Sequence, residues 1–178
     1  MSNTLFDTAP DFDQPIAVLK HCHDKIRKQL ATMQKLPDHL QEFGANLDAK
    51  QGATAILRYF DEAAPKHHAD EEVDLLPMLQ NTASGDDAEH LKVLMPEILQ
   101  EHQQMETLWH SLAQQLRALA SGDSSTLSRD EVQQFTTLYT AHMEKEESNI
   151  APMAKKLFST AQMAQLGQAM KNRRGIVS

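Results

Sequence analysis

Residues 67–78 and 142–153 are one segment written twice. His67-His68-Ala69-Asp70-Glu71-Glu72 through Pro77-Met78 aligns with His142-Met143-Glu144-Lys145-Glu146-Glu147 through Pro152-Met153 at a constant offset of 75 (142 − 67). A His, a Glu four positions on, a second Glu, a Pro and a Met recur in both copies. On a helix, positions i and i+4 lie on one face about a turn apart, so each copy offers an imidazole and a carboxylate to the same point. Two such faces brought together across a shared interior make a metal site, and a chain built this way must pair its helices around it.

The apolar periodicity supplies those helices. Ile16, Leu19, His23, Ile26, Leu30 and Met33 alternate in steps of three and four, the seam of a helix packed lengthwise on others. Pro37 and then Phe43-Gly44-Ala45-Asn46 are expected to interrupt it. A second seam runs through Ile56, Phe60, Ala63, His67, Glu71 and Met78, and Asn81 to Asp87 reads as a polar turn. Leu91, Met95, Ile98, His102, Met105, Trp109 and Leu116 give a third helix. After Ser121-Gly122-Asp123-Ser124-Ser125, a capping box at Ser128-Arg129-Asp130-Glu131 opens a fourth, with Phe135, Leu138, His142, Glu146, Ile150, Met153 and Leu157 as its buried stripe. Pro77 and Pro152 should kink or end their helices. Ser159 caps a short fifth helix to about Met170, before a polar tail.

Only six Gly, two Tyr and one Trp favour helix over strand where the pattern is ambiguous. The expected fold is all-α: an up-down-up-down four-helix bundle over about residues 14–158 with a short C-terminal fifth helix, in one domain. His23 to His102 spans 79 positions (102 − 23), close to the offset of the repeat, so the two helical hairpins are related by a pseudo-twofold axis.

Each long helix thus carries a His on an otherwise apolar seam: His23, His67, His102 and His142. One alone would read as a core residue hydrogen-bonded to a neighbour. Four of them with Glu71 and Glu146 would be costly to bury without partners, and a metal pair satisfies all six together. If both carboxylates bridge, these residues supply about eight bonds, leaving roughly four positions on two six-coordinate ions. A bridging oxo or hydroxo group fills two of those, and an external ligand or Glu106, four residues after His102, can take another. Imidazole and carboxylate without thiolate favour iron, with manganese or zinc as alternatives.

The remaining residues are assigned plainer roles. His68 and Glu72 share the four-residue spacing but lie about 100° round the helix, which suits a solvated or supporting position. Tyr59 and Tyr139 are expected to pack in the core. Cys22 is the sole cysteine, so neither an internal disulfide nor a thiolate cage can form, and a half-buried inert thiol is expected. The net charge of −8 excludes a nucleic-acid groove or an anionic membrane surface. No apolar run approaches the roughly 20 residues of a membrane span, and the first residues lack a signal pattern, giving a cytoplasmic expectation.

These residues resemble a known family, the hemerythrin-like HHE cation-binding domain. His23-Asp24-Lys25-Ile26 is similar to its first-helix histidine segment. His67-His68 through Glu71-Glu72 to Leu75-Leu76-Pro77 is similar to its second-helix motif, Glu101-His102 to its third, and His142 through Glu146-Glu147 to Pro152 to its fourth. The resemblance implies a non-haem di-iron centre and a small-molecule ligand (oxygen, nitric oxide or peroxide), with roles in oxygen binding, sensing, peroxide handling, iron storage, iron–sulfur repair and stress response. It also implies departures. Oxygen carriers of the family have a second His where this chain has Glu106, and an Asp five residues after the fourth-helix His where this chain has Glu146 at four. Reversible oxygen carriage is therefore not implied. That leaves a sensor or binding protein, a peroxide- or iron-oxidising enzyme, or a metal-stabilised interaction module.

Overall fold

The computed structural model describes residues 10–176; the start of the acidic N-terminal stretch and the end of the polar tail lie outside it. Five continuous helical runs carry the described residues. The first is α1 (Pro15–Phe43). The second joins α2 (Leu47–Arg58), α3 (Ala64–Ala69) and α4 (Leu76–Thr82) through π-helical turns at Tyr59–Ala63 and Asp70–Leu75. The third is α5 (Gly85–Ser121). The fourth joins α6 (Arg129–Lys145) and α7 (Ala151–Leu157) through a π-helical turn at Glu146–Ile150. The fifth is α8 (Thr160–Arg173).

Runs one to four close a square, α1 against α2 and α6, and α5 against the same two, while α8 lies on α1 and the Asp70–Leu75 turn. Two apolar clusters fill the square. One gathers Ile26, Met33, Ile56, Phe60, Met105, Leu112, Leu116 and Phe135; the other gathers Leu19, Leu76, Leu79, Ile98, Ile150 and Met153, closed by Leu166 and Met170 of α8. Along α1 the change from one cluster to the other falls at His23, and along α5 at His102. The four seam histidines therefore form a polar layer between two apolar ones.

The ends are set by ordinary chemistry. Gly44 stops α1 at φ +67°, a left-handed region that favours glycine. Asn46 Oδ1 accepts from Ala49 N at 3.0 Å to cap α2, and also meets His39 Nε2 at 2.9 Å. Ser159 and Gln162 make a complete capping box on α8. At Ser128 only half of the expected box forms: Ser128 Oγ accepts from Glu131 N, but the Glu131 side chain turns to Ser111 and Gln115.

Prolines behave differently from expectation. α1 continues through Pro37, whose buried ring adds to the seam, and Pro77 and Pro152 neither end nor break their runs. Each π-helical turn is followed within two residues by a proline: Pro65, Pro77 and Pro152. A proline lacks an N–H and its ring collides with the carbonyl four residues back. For these three that carbonyl belongs to Asp61, Val73 or Ser148, each inside the widened turn, so one extra residue per turn removes the conflict. Two of those turns carry Glu71 and Glu146.

Candidate metal centre

The histidines of the four long runs meet Glu71 and Glu146 at one level of the bundle. Two overlapping groups result: His23, His67, Glu71 and Glu146, and then Glu71, His102, His142 and Glu146, the candidate ligand atoms of each lying within 4.8 Å of one another. All six residues are buried. The carboxylates are shared in a specific way. Glu71 Oε1 faces His67 Nε2 at 3.1 Å and His23 Nε2 at 3.9 Å, while its Oε2 faces His102 Nε2 at 3.4 Å. Glu146 Oε2 faces His23 Nε2 at 3.1 Å and its Oε1 faces His142 Nε2 at 3.2 Å. Each carboxylate thus turns one oxygen to each histidine pair, the arrangement of a bridge.

Three rings are held by carboxylates from behind. His23 Nδ1 donates to Glu147 Oε1 at 2.9 Å, His102 Nδ1 to Glu72 Oε1 at 2.6 Å and His142 Nδ1 to Glu101 Oε2 at 2.8 Å. A carboxylate only accepts, so Nδ1 carries a proton, and once the ring is neutral its Nε2 lone pair points inward. Arg27 grips Glu147 through both guanidinium nitrogens at 2.9 and 3.0 Å, and Lys145 grips Glu101. His102 Nε2 and His142 Nε2 then face each other at 3.0 Å. Two lone pairs so placed repel unless a cation or proton lies between them. His23 Nε2, Glu71 Oε2 and Glu146 Oε2 are likewise buried without a hydrogen-bond partner among the described residues. A cation in each group would satisfy all of them.

The hemerythrin HHE cation-binding domain family matches residues 11–154 of this chain. The chain belongs to that family. An uncharacterised protein of Haemophilus influenzae is 28% identical over 165 residues, which cover 93% of this chain and 92% of the relative. The HHE domain is a cation-binding domain, and the buried His and Glu groups of this member fit such a site.

Of the candidate ligands named from sequence, six converge and one does not. Glu106 is exposed, beside a cavity lined by His68 and Trp109, and belongs to neither group. On the unbroken α-helix α5 a residue four positions on sits about 40° further round, away from the centre. Glu72 takes the supporting position, against His102, and His68 stacks on the His102 ring. Glu101 and Glu147, to which the spacing assigned no role, support His142 and His23. Cys22 is half-buried, and burial pushes its thiol up.

The buried imidazoles and carboxylates of the centre compete for protons as well as for cations. Burial disfavours charge on His23, but the carboxylates of Glu146 and Glu71 outweigh it and push the group from 6.5 up to about 10. His102 is also opposed by burial and raised to about 9, chiefly by Glu71. Burial, helped by the charge of His23, holds His67 down against the pull of Glu71. Burial opposes ionisation of Glu71 as well, yet His67, His102 and His23 hold it well below the usual carboxylate range. A raised imidazole stabilises the folded state fully below its unfolded value of 6.5, and that contribution is lost as pH rises through about 9 for His102 and 10 for His23. Cations need the neutral rings, so their binding releases protons and strengthens with pH, by up to about tenfold per pH unit for each displaced proton. Two measurements check this: denaturation of the metal-free protein from pH 7 to 10, expected to show falling stability, and metal titration in weak buffer, expected to show acidification.

Proposed function

We propose that this protein is a non-haem di-iron protein that leaves a coordination position open to a small oxidant, namely oxygen, nitric oxide or peroxide, and binds, senses or consumes it. One observation carries the reading: two histidine pairs share Glu71 and Glu146, each carboxylate giving one oxygen to each pair. Six residues supply about eight bonds, fewer than two six-coordinate ions take, so positions are left for a bridge and for an outside ligand. A thiolate-free nitrogen and oxygen set favours iron over zinc, which is satisfied by four ligands.

Access supports the same reading. A cavity of about 540 Å³ reaches His23, Glu71 and Glu146 between the start of α1 and the Glu146–Ile150 turn, with Ile16, Leu19, Leu75 and Ile150 in its walls. Lys20, Asp24 and Lys155 also line it, so the cavity is a mixed polar and apolar passage wide enough for a small molecule to reach the carboxylates. An iron pair, when bound there, supplies one-electron steps on each ion and a site for oxygen-atom ligands. The protein's own part is to hold His23, His102 and His142 by their Nδ1 protons and to keep both carboxylates ionised.

No helix among the described residues is long and apolar enough to cross a membrane. A formal net charge of −8 disfavours a nucleic-acid or anionic lipid partner.

The test is anaerobic reconstitution with ferrous iron followed by separate mixing with oxygen, nitric oxide and hydrogen peroxide, read by optical spectroscopy. New charge-transfer bands with at least one of them support the reading, and repeated consumption of peroxide assigns turnover rather than a stoichiometric adduct. Iron that binds and raises the melting temperature while no oxidant alters the spectrum would leave a metal-stabilised module and overturn it.

A further inference from the structure

Tyr139 is buried, and its hydroxyl reaches His68 Nε2 at 3.1 Å. A phenylalanine would fill that space without the cost of burying a hydroxyl. The partner ring lies parallel to His102, centroids 4.0 Å apart and planes 14° apart, and the Nε2 of His102 points into the metal centre. On its other side Tyr139 touches Phe135 (5.0 Å) and Phe60 (5.6 Å). Both of these contact Trp109, at 5.8 and 4.9 Å. Trp109 is half-buried at the bundle surface, where its indole N–H donates to Asp61 Oδ1 at 3.0 Å. Tyr139 and Trp109 are therefore joined through Phe60 and Phe135 in one unbroken aromatic stack, on which Tyr59 also packs at Phe60 (5.6 Å), and each of the two has a proton acceptor on its acidic hydrogen.

We propose that Tyr139 and Trp109 form an electron relay that connects the metal centre to the protein surface during reduction of hydrogen peroxide. The inference rests on the di-iron reading above. Peroxide takes up two electrons and two protons as its O–O bond breaks to give two waters. Each electron leaves Tyr139, whose phenolic proton moves along its hydrogen bond to His68 Nε2. Trp109 then returns an electron to Tyr139, which recovers its proton, and the indole proton passes to Asp61. A soluble thiol at the surface restores Trp109; two thiols give one disulfide and release two protons for every peroxide reduced, so atoms and electrons balance. Phe60 and Phe135 are not oxidised and serve as the packed medium between the two donors.

The test uses the full chain loaded with ferric iron, as wild type, Tyr139→Phe and Trp109→Phe, with iron per chain measured for each. Each is mixed with hydrogen peroxide without thiol, frozen within milliseconds and examined by electron paramagnetic resonance; oxidised residues are then located by peptide mass spectrometry. Wild type is expected to show a tyrosyl radical and oxidation at Trp109. Tyr139→Phe is expected to lose both at unchanged iron content, which a packing role for the hydroxyl would not produce. Trp109→Phe is expected to keep the tyrosyl signal and prolong it. A radical of equal yield in Tyr139→Phe, or none in wild type that binds iron and consumes peroxide, overturns the relay while leaving the metal site standing. Failure to bind iron overturns the di-iron reading and the relay with it, whereas iron-loaded protein that does not react with peroxide overturns the relay alone.

Discussion

Replacing Glu71 or Glu146 with alanine is expected to remove both metal ions, whereas replacing one histidine removes chiefly one. The carboxylates belong to both ligand groups; His23 and His67 belong to one, and His102 and His142 to the other. With Glu71 gone, His67 Nε2 loses its 3.1 Å partner and His102 its 3.4 Å partner in a single step. Iron per chain, measured after reconstitution and desalting, should fall from about two to near zero in Glu71→Ala and Glu146→Ala and to about one in His67→Ala and His142→Ala. Two independent sites would instead give the same partial loss for every variant. Supporting residues define a milder class: Glu101→Gln and Glu147→Gln keep the ligands but weaken the hold on His142 and His23, and should lower affinity by about 10- to 100-fold.

The largest purely structural effect is expected at Asp70. This carboxylate is fully buried, on the turn that carries Glu71, and is held by two consecutive arginines at the end of α8. Arg174 reaches both of its oxygens, at 2.6 and 3.1 Å, and Arg173 bridges it to Asp74. Asp70→Ala would leave two partly buried guanidinium groups without their shared partner, which costs about 3 kcal/mol. For a chain of this size that lowers Tm by roughly 6 to 12 °C. Replacing Asp70, Arg173 and Arg174 together with apolar residues of similar volume should cost less than Asp70→Ala alone, because no charge is then stranded. An unchanged Tm in Asp70→Ala would show that the clamp contributes little and that α8 is held by Leu166 and Met170 alone.

The bundle and the six converging residues were legible in the sequence because they rest on one signal, the 3.6-residue period. A polar residue on an apolar seam is visible wherever the seam is, and four at matching positions of two related hairpins must share a level. What the period cannot show is pairing between runs. Glu101 sits beside His102 in sequence yet supports His142, and Glu147 follows Glu146 yet supports His23 across the bundle. Glu106 has the same spacing from His102, but on α5 that step leads to an exposed position outside both groups, at the edge of the cavity that His68 and His102 line. The widened turns were hidden because a search at one period assumes a regular helix. Their signal was present in Pro65, Pro77 and Pro152, each set where a continuing helix needs an extra residue. Pro37 carries the same signal without a widened turn, and the sequence alone does not separate the two cases.

Anomalous scattering at the iron edge from crystals of reconstituted protein tests the central claim most directly. Two iron peaks about 3.5 Å apart are expected between Glu71 and Glu146, one beside His23 and His67 and the other beside His102 and His142. A single peak, or iron found only outside the bundle interior, would contradict it.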